Sequence, residues 1–492
     1  MTAALPYAFA KRHGVVVTPD GKTCLFTGAP PMAVLAEVQR SVGFLLAMRE
    51  VTRDVLNTTL EEIYRDSASA AAGAAAKAGE GDNLAALADS AAAVDDLLDQ
   101  RDDAPVVRLI NALFLEAIRE RASDIHIEVE EKRLVVRFRV DGVMRDVLEP
   151  NRALAAQLTS RIKVMGKLDI AEKRLPQDGR VSLKVAEYEL DVRISTLPAQ
   201  YGERVVLRLL DRGQTRAGVG ELGMSGTAAE AFQRILNRPD GIILVTGPTG
   251  SGKTTTLYAA IDALNDRARN IMTIEDPIEY ALPGIGQMQV NPGTGLDFAR
   301  GLRAILRQDP DVIMVGEIRD GETARIAVES AMTGHLVLST LHTNTAIGAV
   351  ARMIDLGVER FLLAPMVRGL LAQRLVRRIC DGCRAPHMLT QAQALSLGAP
   401  PDDTVFHGAG CNRCSGTGYH GRVALYEVIE GSGALEQAIS SAASEADITA
   451  LIRQQADGLV ADGRAKIRTG MTTPQEVIRV AFDTGPDAGR GG

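Results

Sequence analysis

Eight residues, Gly247-Pro248-Thr249-Gly250-Ser251-Gly252-Lys253-Thr254, carry the spacing G-x-x-x-x-G-K-T of a phosphate-binding loop. Glycines let such a loop curl until successive backbone N–H groups point inward at phosphate oxygens. The N-terminus of the helix that follows adds partial positive charge. Lys253 supplies a full charge to the β- and γ-phosphates, and the Thr254 hydroxyl can ligate Mg²⁺. Thr255, the next residue, belongs with the same nucleotide-binding set. An apolar run, Gly241 to Thr246, precedes the loop, and Thr255 to Ile261 reads as helix. A chance match in an arbitrary loop lacks that strand–loop–helix context. The expectation is ATP binding and hydrolysis.

Three further clusters bear on hydrolysis. Asp311-Val312-Ile313-Met314-Val315-Gly316-Glu317 has an acid at each end of an apolar strand. Ligands bind at the carboxyl edge of a parallel sheet, so an acid there can hold the Mg²⁺ shell or orient the attacking water. Glu317 is favoured over Asp311 for the water, against a bland reading as a helix cap. Ile274-Glu275-Asp276-Pro277-Ile278-Glu279 crowds three carboxylates after another strand, which is costly without a cation such as Mg²⁺. A solvated turn is the alternative. The run from Thr333 to Asn344 is a strand ending in polar residues. His342 there can sense a γ-phosphate or simply serve as a structural hydrogen bonder, and spacing does not choose between the two.

Cys380-x-x-Cys383 and Cys411-x-x-Cys414 are two knuckles separated by 27 residues. Four thiolates close a tetrahedral shell with no open position, so Zn²⁺ there is structural, as in a zinc ribbon. His387, His407 and His420 lie nearby but are not needed as ligands. Cys24 stands alone and reads as a small buried hydrophobe. Arg193, Arg204 and Arg208 recur on strand-like segments. Solvent exposure is their default, unless they face a nucleotide whose transition-state charge they neutralise.

These residues need elements to hold them. A chain of 492 residues accommodates roughly three domains. It is 46% hydrophobic and 24% charged, enough to bury large cores. The net charge of −7 and 4% aromatic content argue against a nucleic-acid partner. No apolar run approaches the roughly 18 residues of a membrane span. Met1 to Val17 has no signal-peptide core before Lys11-Arg12-His13. The expected location is cytoplasmic, with membrane attachment through another protein.

Residues 1–66 form a small mixed segment with a hairpin signal, Val15-Val16-Val17 and Cys24-Leu25-Phe26 flanking Pro19-Asp20-Gly21. Residues 67–104 read as a linker, Ala/Gly/Ser-rich over 67–82 and acidic over 95–103. Residues 105–213 combine a helical stripe (Val107, Ile110, Leu113, Phe114, Ala117, Ile118) with alternating strands at 124–129, 136–140, 189–194 and 204–210, an α+β domain. A turn-rich connector spans about 211–222. Residues 223–492 alternate strands (242–246, 271–275, 312–316, 336–340) with helices, the pattern of a doubly wound parallel sheet. This part includes the 380–414 cysteine subdomain and short amphipathic helices over 434–483.

Taken in order, GPTGSGKT, IEDPIE, DVIMVGE, TGHLVLSTLHTN and the paired cysteine knuckles resemble the secretion-ATPase superfamily. RASDIHIE (121–128), RFRVDGV (137–143), RLPQDGR (174–180) and GERVVLRLL (202–210) are similar to the second N-terminal domain of its type II secretion branch, and LPYAFAKRHGVVV (5–17) to that branch's opening segment. The resemblance covers nearly the whole chain. It implies a RecA-like P-loop core, a preceding PAS-like α+β domain, a small docking domain and a zinc-ribbon insertion. It also implies a hexameric ring on the cytoplasmic face of the inner membrane, using ATP to drive pseudopilus assembly and export of folded proteins. Residues 1–103 would dock on the cytoplasmic part of a single-span membrane protein, the L component. A platform protein, the F component, would receive the work. By motif, Lys253 and Thr254 match the phosphate and Mg²⁺ residues and Glu317 the water-handling acid. Glu279 matches the acidic-box residue and His342 the sensing histidine, while Arg193 and Arg208 match arginines that reach nucleotide in the ring. Loss of the γ-phosphate would then rotate the two large domains about the 211–222 connector. Pro198-Ala199-Gln200-Tyr201-Gly202 departs from the family's usual Thr-Gly-His-Gly-like turn. A type IV pilus extension motor shares most of these motifs and is the nearest rival. A nucleic-acid translocase and a non-hydrolysing scaffold are more distant ones.

Overall fold

The computed structural model describes residues 13–18, 22–28, 30–31, 34–35, 38, 47–52, 55–56, 59, 84, 105–185, 188–211, 218–400, 403–441, 443–452 and 458–481. The 19–21 turn, the 67–82 linker, the acidic 95–103 run, residues 212–217 of the connector and the Gly/Asp-rich tail lie outside them. The chain divides into two compact units, 1–140 with 144–213, and 141–143 with 214–492.

In the first unit, β1 (Val15–Val17) and β2 (Thr23–Phe26) pair antiparallel, as the hairpin pattern predicts. A third strand, β3 (Ala47–Glu50), adds parallel to β2 and has no apolar alternation to announce it. Val15, Val17 and Cys24 share one buried cluster. Cys24 is fully buried, and burial pushes its thiol pKa up, in line with a packing role.

The larger part of this unit begins with a helix over Pro105–Arg119, whose buried Leu109, Ile110, Leu113, Phe114 and Ala117 form one stripe. The strands that follow are β4 (Ala122–Val129), β5 (Leu134–Val140), β6 (Val143–Leu148), β7 (Gln177–Val185), β8 (Tyr188–Ala199) and β9 (Gly202–Asp211), in the sheet order β6-β5-β4-β9-β8-β7. A second helix, Leu154–Met165, lies between β6 and β7 in sequence. Ile125, Ile127, Phe138, Val192, Ile194, Val205 and Leu207 pack with both helices in one core. Strand side chains alternate, so the residues between these project from the opposite face. The departing 198–202 segment closes a tight hairpin with Ala199 opposite Gly202. Gly202 sits at φ +144, and a Cβ there would meet Val129 at 3.4 Å.

The second unit is built on β10 (Gly241–Thr246), β11 (Ile271–Glu275), β12 (Gly286–Gln289), β13 (Val312–Val315), β14 (Leu336–Leu341) and β15 (Val367–Ile379), all parallel where paired. A separate two-stranded antiparallel sheet, β16 (Arg384–Met388) with β17 (Thr404–Gly408), has the helix Gln391–Leu397 between its strands in sequence and is followed by β18 (Tyr419–Glu430), which runs antiparallel to β15. The sheet order is β12-β11-β13-β14-β10-β15-β18. Four of these strands match the alternation of apolar runs and helices, and three more extend the sheet. The parallel expectation therefore needs correcting at one edge, where β18 reverses direction. β15 escapes a hydrophobic pattern because Gln373, Arg374, Arg377 and Arg378 interrupt it. Apolar clusters cover both faces of the sheet. Covered on both faces, the sheet leaves its strand ends as the place for charge. Among the described residues, no helix is long and apolar enough to cross a membrane.

Candidate nucleotide site and metal centre

The glycine loop leaves the carboxyl end of β10, between β14 and β15. Gly247, Gly250 and Gly252 have φ of +152, +78 and +89, values that favour glycine. A Cβ on Gly247 would fall 2.4 Å from the Gln373 carbonyl oxygen, so only glycine lets the loop lie against β15. Pro248, Thr249, Gly250, Thr254 and Thr255 are exposed, whereas Ser251 and Lys253 are buried. Lys253 Nζ donates to the carbonyls of Gly247 (2.7 Å) and Pro248 (3.1 Å). Burial lowers its pKa to about 8, against the raising influence of Glu317 and with a further lowering by Arg374. Ser251 Oγ is buried without a hydrogen-bond partner among the described residues. An orphaned hydroxyl and a desolvated ammonium inside a glycine cradle suit a polyphosphate.

Glu317 follows β13 and lies at the same edge. Its side chain is 13% exposed, between Arg319 Nη2 at 2.5 Å from Oε1 and His342 Nε2 at 3.3 Å from Oε2. Ser339 and Thr340 of β14 donate to the carbonyls of Val315 and Gly316, which sets the exit of β13. Lys253, Glu317 and His342 are thus brought together. Asp311 is not, because it precedes β13 and accepts from the Asn270 amide at the opposite edge (2.7 Å). In the acidic box, Glu275 is buried and bound by Tyr258, by Thr273 (2.6 Å) and by Gln287 (3.1 Å). Protein donors, rather than a cation, satisfy this first carboxylate. Tyr258 stands on the helix Lys253–Leu264 and also accepts from the Glu279 amide (3.2 Å), tying Glu279 to the glycine-loop helix. Burial first, and then Glu275, raise the Tyr258 pKa and keep the phenol protonated as a donor.

Several supporting residues escaped sequence reasoning. Thr256 donates to Gln373 Oε1 (2.7 Å), both buried, and Tyr426 lies 3.4 Å from the same hydroxyl. Thr246 accepts from the Thr343 amide (2.9 Å) and donates to carbonyls of the 341–343 segment. A buried Lys466–Asp462 pair supports Tyr426 through its amide. The signal available was Thr246, a polar residue closing the apolar strand β10; Gln373 gave none, because β15 is itself broken by charged residues.

Arg193 and Arg208 lie in the first unit, directly opposite each other on β8 and β9. Arg180 is opposite Arg193, Asp124 opposite Arg208, and Arg139 opposite Asp124, so one row crosses five strands. Asp124 is buried and accepts from Arg208 Nε at 2.9 Å, with Arg139 at 3.6 Å. Arg180 pairs with Asp191 at 3.0 Å. Arginines placed opposite one another repel. Arg204 belongs elsewhere on β9, 2.6 Å from Glu128. Arg139 and Arg180 are not among the arginines the sequence singles out, although strand alternation places them on this face.

Cys380, Cys383, Cys411 and Cys414 converge, their sulfurs all within 4.8 Å of one another. Three Sγ···Sγ distances are 3.8 Å. A tetrahedron with Zn–S bonds near 2.3 Å has edges of roughly 3.8 Å, so the spacing fits Zn²⁺ and no disulfide competes. Amides of Gly410, Cys411 and Gly418 point at the sulfurs of Cys383 and Cys414 at 3.2 to 3.3 Å. The cluster can hold a metal ion. His387 and His407 meet edge to face, ring centroids 5.3 Å apart, and are not part of the cluster.

A parallel sheet with a glycine loop at its switch strand, facing an acid and a histidine on neighbouring strand ends, defines a RecA-like P-loop ATPase core. The fold of the Legionella pneumophila ATPase DotB is similar (TM-score 0.56, 21% identity, 75% of this chain and 94% of that one). So is that of the pilus retraction motor PilT with bound ADP (TM-score 0.52, 27% identity, 77% and 97%). The family described as type II/IV secretion system protein matches residues 99–479, and a domain family of GSPII protein E matches residues 4–64. The chain is 52% identical to the type II secretion system protein E of Pseudomonas aeruginosa over 480 residues, covering 97% of this chain and 96% of that one. It is 48% identical to the type II secretion system ATPase E of Vibrio cholerae over 487 residues, covering 98% and 97%. The chain belongs to the type II/IV secretion system protein family, in its type II secretion E branch, and is an ATPase.

Proposed function

We propose that the chain is the ATP-hydrolysing motor of a type II secretion system, powering pseudopilus assembly and export of folded proteins across the outer membrane. The observation that carries this reading is the meeting of Lys253, Glu317 and His342 at one sheet edge, in a chain about half identical over nearly its whole length to a type II secretion system ATPase E. The loop 247–255 binds ATP, its N–H groups and Lys253 holding the phosphates. Thr254 would hold Mg²⁺, which when bound neutralises charge on the β- and γ-oxygens. Glu317 orients the attacking water, and Glu279 contributes a second carboxylate to the site. His342, hydrogen-bonded to Glu317, senses the γ-phosphate. Arg193 and Arg208 reach nucleotide in a homohexameric ring and, from an open face that salt screens, neutralise a modest share of its charge. The four cysteines would hold Zn²⁺ in a structural role.

In this reading the domains are 1–66 for partner docking, 67–104 as linker, 105–213 as second N-terminal domain and 223–492 as motor. The ring attaches to the cytoplasmic face of the inner membrane through residues 1–103 and the cytoplasmic domain of the L component, and works on the F component. The match of residues 4–64 to a domain of GSPII protein E supports the docking role. The test is titration of the full chain with the cytoplasmic domain of the L component and, separately, with its type IV pilus counterpart from the same cell. Selective binding to the first, with accelerated ATP turnover, is expected. Selective binding to the pilus protein would overturn the secretion assignment in favour of pilus extension.

A further inference from the structure

Thr246, the last residue of β10, pairs with Ala372 on one side and with Leu341 on the other. Gln373 and Arg374 therefore continue β15 past the point where β10 becomes the glycine loop. Neighbouring strand residues point to opposite faces. Gln373 turns to Thr256 on the loop's helix, and Arg374 turns the other way. Its guanidinium donates to both the carbonyl (2.9 Å) and the side-chain oxygen (3.2 Å) of Asn344, and to the Gln373 carbonyl (3.3 Å). Asn344 lies in the segment after β14, so one arginine spans the end of the glycine-loop strand from β15 to β14. Arg374 is only 6% exposed, a costly setting for a guanidinium unless its hydrogen bonds are specific. The same segment is fastened at Thr343 to Thr246 and at Ala346 to Glu427 of β18 (3.4 Å). His342, two residues before Asn344, is exposed and meets Glu317.

We propose that Arg374 is a positioning residue for hydrolysis, fixing the 342–345 segment across the root of the glycine loop so that His342 stays within reach of Glu317. This rests on the reading of Glu317 and His342 as site residues. Arg374 acts through Asn344 rather than on the phosphates, and its charge near Lys253 adds to the field that lowers that ammonium's pKa. A displaced catalytic side chain costs on the order of a hundredfold in rate for an ångström of misplacement.

The test uses the full chain carrying Arg374→Gln, Arg374→Lys or Asn344→Leu. Two readouts are taken, steady-state kinetics with Mg-ATP and hydrogen exchange of the 343–346 amides. Arg374→Gln is expected to lower kcat roughly thirtyfold with KM within about twofold, because position is lost and binding is not. Exchange at 343–346 should speed up at least about tenfold while β10 keeps its protection. Arg374→Lys should not rescue, since one ammonium cannot serve the forked acceptor set. Asn344→Leu removes one acceptor of the two on that residue and should give a smaller kcat loss, about fivefold. Unchanged exchange at 343–346 overturns the proposal. So does a KM raised more than about tenfold with kcat retained, which would make Arg374 a direct phosphate ligand. If Arg374→Gln does not fold, full kcat and unchanged exchange in Asn344→Leu overturn it instead. A wild-type rate in Glu317→Gln would sink the assignment of the site pair, while the exchange measurement would still decide whether Arg374 holds the segment.

Discussion

Lys253 and Arg208 are both cations offered to phosphate in the proposed site, and their surroundings are opposite. Lys253 is 8% exposed at the end of a parallel sheet covered by apolar clusters on both faces. Arg208 is 59% exposed on an antiparallel sheet whose helices and core occupy one face. The first sheet can place charge only at its strand ends, where few groups act in a low dielectric. The second can spread five charged side chains in a row across its open face. A buried charge acts strongly and is itself perturbed, which is why Lys253 titrates near 8. An exposed guanidinium acts weakly and is screened by salt. One region concentrates electrostatics and the other distributes it.

The sharpest break of that comparison is Lys253→Ala. ATP turnover should fall by about 10³-fold or more, since a desolvated charge on the phosphates is lost. The far-ultraviolet circular dichroism should be unchanged, because among the described residues Lys253 hydrogen-bonds two loop carbonyls and no secondary-structure ladder. Turnover within tenfold of wild type would show that the buried cation is not the dominant one.

A smaller effect comes from titrating the same residue. Below pH 8 Lys253 is protonated in both folded and unfolded protein, and the cost of burying its charge is fully present. Between about 8 and 10.5 the folded protein gives up this proton first, so the unfolded chain holds more protons and stability from this group rises with pH. Phosphate binding runs the other way, since it needs the ammonium. ATP affinity measured by calorimetry should weaken about tenfold between pH 7 and pH 9. A flat profile over that range would mean that burial does not perturb the lysine.

The contrast also explains which parts of the molecule are legible in its sequence. The glycine loop and the cysteine knuckles are local motifs, and chemistry with short sequence spacing is visible as spacing. Spacing left the role of His342 open, but the placements of Glu317 and His342 were legible because each ends an apolar strand, and strand ends at a parallel sheet's carboxyl edge converge. Gln373 and Arg374 were not, because they interrupt β15 and make its sequence look unlike a strand. Their partners Thr256 and Asn344 are 117 and 30 residues away, a separation that no periodicity encodes. Asp311, already less favoured than Glu317 from the sequence, shows why the end of the strand matters. It flanks the same strand as Glu317, but direction along the strand puts it at the wrong edge. Arg139 and Arg180 were hidden for a third reason. Alternation gives each strand a polar face, but only register lines those faces into one row.

The smallest expected effect tests the distributed side. Arg208→Ala removes one exposed cation and leaves buried Asp124 with Arg139 at 3.6 Å. Turnover should drop only about fivefold at low salt, and the deficit should shrink to about twofold near 0.5 M salt as the open face is screened. Arg208→Lys should recover part of the loss at neutral pH, because the charge remains while the directed bond to Asp124 is weakened. The Lys253→Ala deficit should not change with salt, since screening ions do not enter its surroundings. If Arg208→Ala instead matches Lys253→Ala at every ionic strength, Arg208 is desolvated when nucleotide is bound. The row of arginines would then act as a buried site in the working ring, and the distinction between the two sheets would hold only for the isolated chain.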